Sequence, residues 1–350
     1  MITIDGSQYS GSGTIVRQSV AFAALTGQPI RVINARVKRP HPGLRPQHLR
    51  VIEAIREVAN GTVEGAAPGS QEFIFRPGAL AVKPEYDWNI GSAGSTMMLA
   101  LAILPVLAFG TDVTRVVVRG GMFQDFAPSF YHVQHVVLPL LRRMGVAAEI
   151  SMGRPGYVPQ GDGVLHLTVT PAWHGLRPVV LDRSGAVIRI WGRALASHLE
   201  ERCVGERMAA AARRVLEQAG YVPEIEVISD TSAAQPGAAL ALFADLASDA
   251  RLGADQAGAR GRTSEAIGRT VARQLLRDLG TGATADRHTA DQLIPFAALA
   301  DGESRVRIPE VTEHVATNAW LAELFLGARV TIREGLLTIL GNPLQERREA

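Results

Sequence analysis

An α/β or α+β protein, built from stacked units of helices on sheets, follows from three features of the 350-residue chain. Four times a helix-like run ends at a glycine and passes directly into a strand-like run. Hydrophobic residues make up 47% of the chain and charged residues 20%, with a formal net charge of +2, which suits a packed core and excludes a disordered chain. From about Ser184 to Leu279 the texture changes to two long Arg/Ala-rich amphipathic helices around short strands. That stretch predicts a smaller α/β domain of residues 184–279, inserted into a larger body of residues 1–183 and 280–350.

The four junctions are Asn60-Gly61 before Thr62–Glu64, Met144-Gly145 before Val146–Ile150, Ala219-Gly220 before Tyr221–Val227, and Leu326-Gly327 before Ala328–Ile332. A glycine just past a helix commonly takes the left-handed cap, and the β-rich run behind it is the next strand. Helical periodicity marks Pro46–Ala59, where Leu49, Ile52, Ile55 and Val58 share a stripe, and Ser95–Phe109. It also marks Phe130–Met144, Leu199–Ala219, Arg262–Leu279 and Val315–Leu326. Strand-like runs are Thr3–Asp5, Ile30–Ala35, Phe73–Arg76, Thr114–Val118, Val164–Thr170, Val187–Trp191 and Gly335–Leu340. Small and polar residues predict loops at Ser229–Gly237 and Arg251–Arg262.

Several functional classes are excluded. Cys203 is the only cysteine, so there is no internal disulfide and no multi-cysteine metal site. Lys38 and Lys83 are the only lysines among 36 basic residues, and neither stands in a P-loop or in a K-x-D-G nucleotidyl-transfer motif. A covalent nucleophile is therefore sought among the nine histidines. No apolar run is long enough for a membrane span, and the first residues do not read as a signal peptide, so the expectation is a soluble cytoplasmic protein.

Two small-residue turns open helices: Asp5–Thr14 after the first strand, and Asn89–Thr96. Each fits a structural turn as well as an anion site formed by backbone N–H groups. Residues 36–50 carry Arg36, Lys38, Arg39, Arg45 and Arg50 with no acid among them. Arginine forks suit phosphates, so this run fits a local grip on a polyanion as well as a solvated loop. His132 and His135 lie three apart on one helix, without a third ligand at matching spacing, and read as a solvated or half-buried face. His314 stands where a loop becomes an apolar helix, and Asp286–Leu293 reads as a capped helix start or a hydrogen-bonding cluster.

Six segments in order carry a resemblance: I-D-G-S-Q (4–8), R-V-K-R-P-H-P-G-L-R-P-Q-H-L (36–49), G-S-Q-E-F-I-F-R-P-G (69–78), I-G-S-A-G-S (90–95), D-R-H-T-A-D-Q-L-I-P (286–295) and E-H-V-A-T-N (313–318). Together they resemble the RNA 3'-terminal phosphate cyclase family nearly end to end. The resemblance implies repeated units of helices on four-stranded sheets, of the type shared with enolpyruvyl transferases, with a small α/β domain inserted late. It implies ATP and a divalent ion (Mg or Mn) as cofactors, and RNA 3'-phosphate ends as partners. His314 falls on the family's nucleophile in H-x-x-T-N, which takes AMP from ATP and passes it to the RNA 3'-phosphate, after which the 2'-hydroxyl closes a 2',3'-cyclic phosphate. A neutral imidazole suits that role.

The family's ATP-contacting run falls on His288, Thr289, Ala290, Asp291 and Gln292, with His288 stacking on adenine and Pro128 flanking it. Arg17, Arg36, Arg39 and Arg45 fall where RNA and triphosphate phosphates are met; no metal ligand is assigned. The chain also departs from the family pattern. Ser10 and Thr14 replace the acid and glutamine of G-E-G-G-G-Q, Leu101 replaces a nucleotide-contacting glutamine, and Phe123 replaces the acid of the G-G-T-D-N-P-type segment. These departures leave open two further roles: an RNA-end-binding or scaffold protein with weakened catalysis, and adenylyl transfer to another phosphate acceptor.

Overall fold

The computed structural model describes residues 1–344. Its body is one pattern, βαβαββ, written three times. The first copy is β1 (Ile2–Asp5), α1 (Gly13–Thr26), β2 (Ile30–Ile33), α2 (Pro46–Val58), β3 (Thr62–Glu64) and β4 (Phe73–Arg76). Its sheet runs β1-β2-β4-β3, with β1 and β2 parallel and the other pairs antiparallel. The second copy is β5 (Glu85–Asn89), α3 (Thr96–Ala108), β6 (Thr114–Gly120), a helical stretch, β7 (Ala147–Arg154) and β8 (Gly163–Thr170), ordered β5-β6-β8-β7. That stretch is α4 (Phe130–His132), a π-helical segment (Val133–Val137) and α5 (Leu138–Arg143).

The third copy begins with β9 (Val180–Leu181) and is then interrupted by β10 (Val187–Ser197), α6 (Val204–Gln218), β11 (Glu224–Asp230), β12 (Gly237–Leu246), β13 (Arg251–Ala257) and α7 (Ser264–Gly280). These strands form their own sheet, β11-β10-β12-β13, on which α6 and α7 pack. The third copy resumes with α8 (Arg287–Ala298), β14 (Glu303–Arg307), α9 (Glu313–Leu326), β15 (Arg329–Arg333) and β16 (Leu336–Leu340), ordered β9-β14-β16-β15. The strand order and directions repeat those of the first two copies.

The first helix of each copy lies at the centre. Every residue of α1 except Thr26, every residue of α3 except Met98, and α8 from Thr289 onward are buried. Helices apolar on every side bury the most surface only when surrounded, and α1, α3 and α8 contact one another or the second helices α2 and α9. Arg17 and Gln18 are thus held inside a central helix, where a charge is costly unless matched.

The structure corrects several expectations. Gly145, Gly220 and Gly327 take the left-handed conformation, but at the first junction Asn60 takes it instead, at φ 43°. Asparagine tolerates that region because its side chain bonds locally. Residues 251–257, expected as loop, form strand β13, and β10 and β12 are long rather than short. Phe130–Met144 is not one regular α-helix but holds the π segment. His132 is fully buried rather than on a solvated face, whereas His135 is half-buried, edge-on to Trp191 and Phe243 at ring distances of 5.0 and 5.3 Å. An extra residue per turn shifts the side chains of a helix, and here it points the two histidines at different partners.

Candidate active site

Helix α9 starts at a side-chain cap: Thr312 Oγ1 accepts the Val315 N–H at 3.1 Å. This places His314 in the first turn, where its Nδ1 lies 3.0 Å from Thr14 Oγ1 at the start of α1. Arg17, one turn further along α1, donates to the same Thr14 oxygen at 3.2 Å. Thr317 Oγ1 lies 2.9 Å from Ser10 Oγ and accepts the Ser10 N–H at 3.3 Å, while Ser10 Oγ lies 3.0 Å from Ser12 Oγ. Asn318 Nδ2 donates to the Asp291 carbonyl at 2.7 Å, tying α9 to α8. Every polar residue of the H-x-x-T-N run thus makes a hydrogen bond.

The glycines of the first turn admit close neighbours. A Cβ at Gly13 would overlap His48 Nε2, and one at Gly11 (φ 52°) would lie 2.6 Å from Lys38 Cδ. His48 in turn accepts the Arg45 N–H through Nδ1 at 3.1 Å, at the start of α2. The basic run is thereby folded against the small-residue turn.

The charges in this region are unbalanced. Arg17 is lowered to about 10, chiefly by burial, with Asp291 opposing and Arg36 and Arg39 adding to the fall. His314 is lowered to about 4, chiefly by burial, then by Arg17 and Arg39. His48 is held well below the usual imidazole value by burial and by Arg17, Arg36 and Arg45. Burial lifts Asp291 to about 7 against the pull of Gln292 and Arg17. With Asp291 half-neutral near pH 7, the cationic surroundings favour an incoming anion, and His314 stays a neutral base.

Asp286 opens a run that the sequence leaves as a capped helix start or a hydrogen-bonding cluster, and the structure shows both. It caps α8, accepting the N–H groups of His288 and Thr289 at 3.0 and 2.9 Å and the Thr289 hydroxyl at 2.9 Å. It also accepts Gly253 N–H at 2.9 Å from β13 and lies 3.1 Å from His132 Nε2. Thr289 thus spends its hydroxyl on Asp286, and Ala290 is core. His288 stands edge-on to His132 at 5.7 Å, and burial lowers its pKa while Asp255 opposes. Pro128 is buried beside Ser129, whose N–H donates to Asp255 at 2.7 Å, and Asp255 also acts electrostatically on His288. An aspartate at an N-cap is visible in a sequence; its buried histidine partner is not.

Among the described residues no three His, Cys, Asp or Glu side chains are grouped to hold a metal ion. Across residues 10–14 the side chains that carry oxygen are the hydroxyls of Ser10, Ser12 and Thr14, a poor donor set for fixing a divalent cation. The described residues do not make a protein-held metal site. A nucleotide fits better, because the turn, Arg17 and two buried acceptors without a partner, Asn318 Oδ1 and Gln18 Oε1, lie on the same helices.

A model of the RNA 3'-terminal phosphate cyclase family matches residues 8–332. The chain belongs to this family. It is 38% identical to the RNA 3'-terminal phosphate cyclase of Pyrococcus abyssi over 327 residues, covering 93% of this chain and 94% of that protein. With the counterpart from Hyperthermus butylicus the identity is 39% over 344 residues, covering 96% and 94%. Among solved structures, the enolpyruvyl transferase NikO of Streptomyces tendae aligns over 97% of this chain and 82% of its own, at 14% identity and a TM-score of 0.27, too low to carry an argument. Phe123 is buried among Tyr131 and Tyr157 at ring distances of 5.6 and 5.5 Å, Leu101 is core in α3, and Thr14 has become the neighbour of His314.

Proposed function

We propose that this chain converts an RNA 3'-terminal phosphate to a 2',3'-cyclic phosphate at the expense of ATP, with His314 as the nucleophile. The observation that carries the reading is the neutral, oriented imidazole. In the tautomer whose Nδ1–H donates to Thr14 Oγ1, 3.0 Å away, the Nε2 lone pair is left for the α-phosphorus of ATP. A P–N bond forms as the bond to pyrophosphate breaks. An oxygen of the RNA 3'-phosphate then attacks the same phosphorus, releasing the imidazole and forming an RNA-adenylate anhydride. Finally the 2'-hydroxyl loses its proton and attacks the 3'-phosphorus, expelling AMP. Arg17, Arg36, Arg39 and Arg45 supply positive charge for the phosphates throughout.

In this reading His288 stacks on adenine opposite Pro128, Asp291 and Gln292 line the same nucleotide with Thr289 and Ala290 behind them, and residues 184–279 are a domain inserted in the catalytic body. ATP arrives with its divalent ion, Mg or Mn. No described helix is long and apolar enough to cross a membrane, and the cytoplasm is the proposed compartment. The intact mass of protein incubated with ATP tests the reading: wild type gains one adenylate and His314→Ala gains none. Folded wild-type protein that never gains the adduct would overturn it and leave an RNA-end-binding role.

A further inference from the structure

Two clefts meet on the face between the second repeat and the interrupting sheet. The first, of about 690 Å³, is walled by Arg36, Arg45, Asp125 and Arg260. The second, of about 580 Å³, is walled by Arg202, Arg207, Arg260 and Arg262 over an apolar floor that includes Tyr157 and Leu199. Val158, Gly258, Ala259 and Arg260 belong to both, so the two form one continuous path. Six arginines line it against one acid, Asp125, in a chain whose formal net charge is only +2. The concentration is local and not a result of composition.

Pairing sharpens the contrast. Arg262 is held by Asp125 at 2.9 and 2.8 Å, and Arg207 by Glu265 at 2.7 Å. Arg36 donates to the carbonyls of His41 and Gly43. Arg45, Arg202 and Arg260 have no carboxylate within ion-pair distance among the described residues. At one end of the path Arg36 acts electrostatically on Arg17, the residue bonded to the neighbour of His314. The other end lies between α6 and α7. Unpaired arginines along an edge with apolar surface beneath match the alternating phosphates and bases of a single strand.

Resting on the cyclase reading, we propose that the nucleotides upstream of the RNA 3'-phosphate follow this path from Arg36 and Arg45, past Arg260, to Arg202. The inserted segment then grips the body of the RNA strand, while the residues around His314 act on its end. Substrate affinity should accordingly depend on RNA length and single-strandedness.

The test measures binding of 3'-phosphorylated oligoribonucleotides of two and ten residues by fluorescence anisotropy, across a salt series. Wild type is compared with Arg202→Ser/Arg260→Ser, both exposed positions where substitution leaves folding intact. The ten-mer should bind wild type more tightly than the dinucleotide. The double variant should lose roughly tenfold for the ten-mer, with a salt slope lower by about 1.4 for two lost single-strand contacts. Dinucleotide binding and self-adenylation should not change. Equal affinity of both lengths for wild type, an unchanged ten-mer affinity in the variant, an equal loss at both lengths, or equal binding of the ten-mer paired to its complement would each overturn the path. Failure of the cyclase reading shows separately, as wild type that gains no adenylate whether or not length matters.

Discussion

His132 and His314 differ in what surrounds the same imidazole. Both are desolvated, which alone lowers an imidazole pKa. At His132 the carboxylate of Asp286 outweighs burial and raises the value to about 9. At His314 burial and the arginines act in one direction, to about 4. The first histidine is consequently a cation riveted to an anion. Through Asp286 that pair joins α4 of the second copy, β13 of the interrupting sheet and the cap of α8 in the third copy. The second is a neutral base held ready by a hydroxyl. Position in a charge field, rather than residue type, separates a structural fastening from the proposed nucleophile.

The largest expected effects come from removing each group. His314→Ala should lower self-adenylation by at least about 10⁴-fold while unfolding free energy moves by no more than about 0.5 kcal/mol. Asp286→Ala should do the reverse at the level of stability. It leaves a buried charge and three N–H groups without their acceptor, for a loss of about 3–5 kcal/mol in urea unfolding. Unchanged stability in Asp286→Ala would erase the distinction between the two sites.

A pH series sharpens the comparison at the next level. His132 is raised when folded, so its contribution is complete below the unfolded value of about 6.5 and is lost as pH rises through about 9. Asp286 is lowered, although burial opposes, by the charge and hydrogen bond of His132, so its contribution is lost only in acid. Stability should therefore fall between pH 6.5 and 9 in wild type and fall less in His132→Gln. A wild-type curve flat across that window would show that His132 is not charged in the folded protein.

Much of the fold was legible because its punctuation is local. Glycine junctions and small-residue caps such as Ser95 and Thr312 mark where helices start and stop. The three-fold pattern also keeps its order in the sequence. Strand β12 escaped because its Ala- and Leu-rich run lacks both β-branched residues and alternation; it is buried on both faces, where periodicity carries no signal. The His132–Asp286 pair joins residues 154 positions apart, and no local pattern encodes such a meeting. At the site, His314 and the arginines stood out by type. The partnership of Thr14 with His314, across 300 positions, did not.

That partnership gives the finest test. Valine at position 14 keeps the shape of threonine but removes the hydroxyl, so Nδ1 loses its partner while burial and Arg17 still depress the imidazole. Thr14→Val should slow self-adenylation by about tenfold, the worth of one hydrogen bond, and should leave the pH profile flat down to about pH 5. Arg17→Met removes a positive charge instead, which raises the pKa of His314 and moves the acid limb toward neutrality. Orientation and pKa are thereby read by different variants. A slowed Thr14→Val with an unmoved limb assigns Thr14 to orienting the ring. A limb that moved as far as in Arg17→Met would show that the hydroxyl had been holding the imidazole neutral, and a rate equal to wild type would show that the 3.0 Å contact orients nothing that the reaction needs.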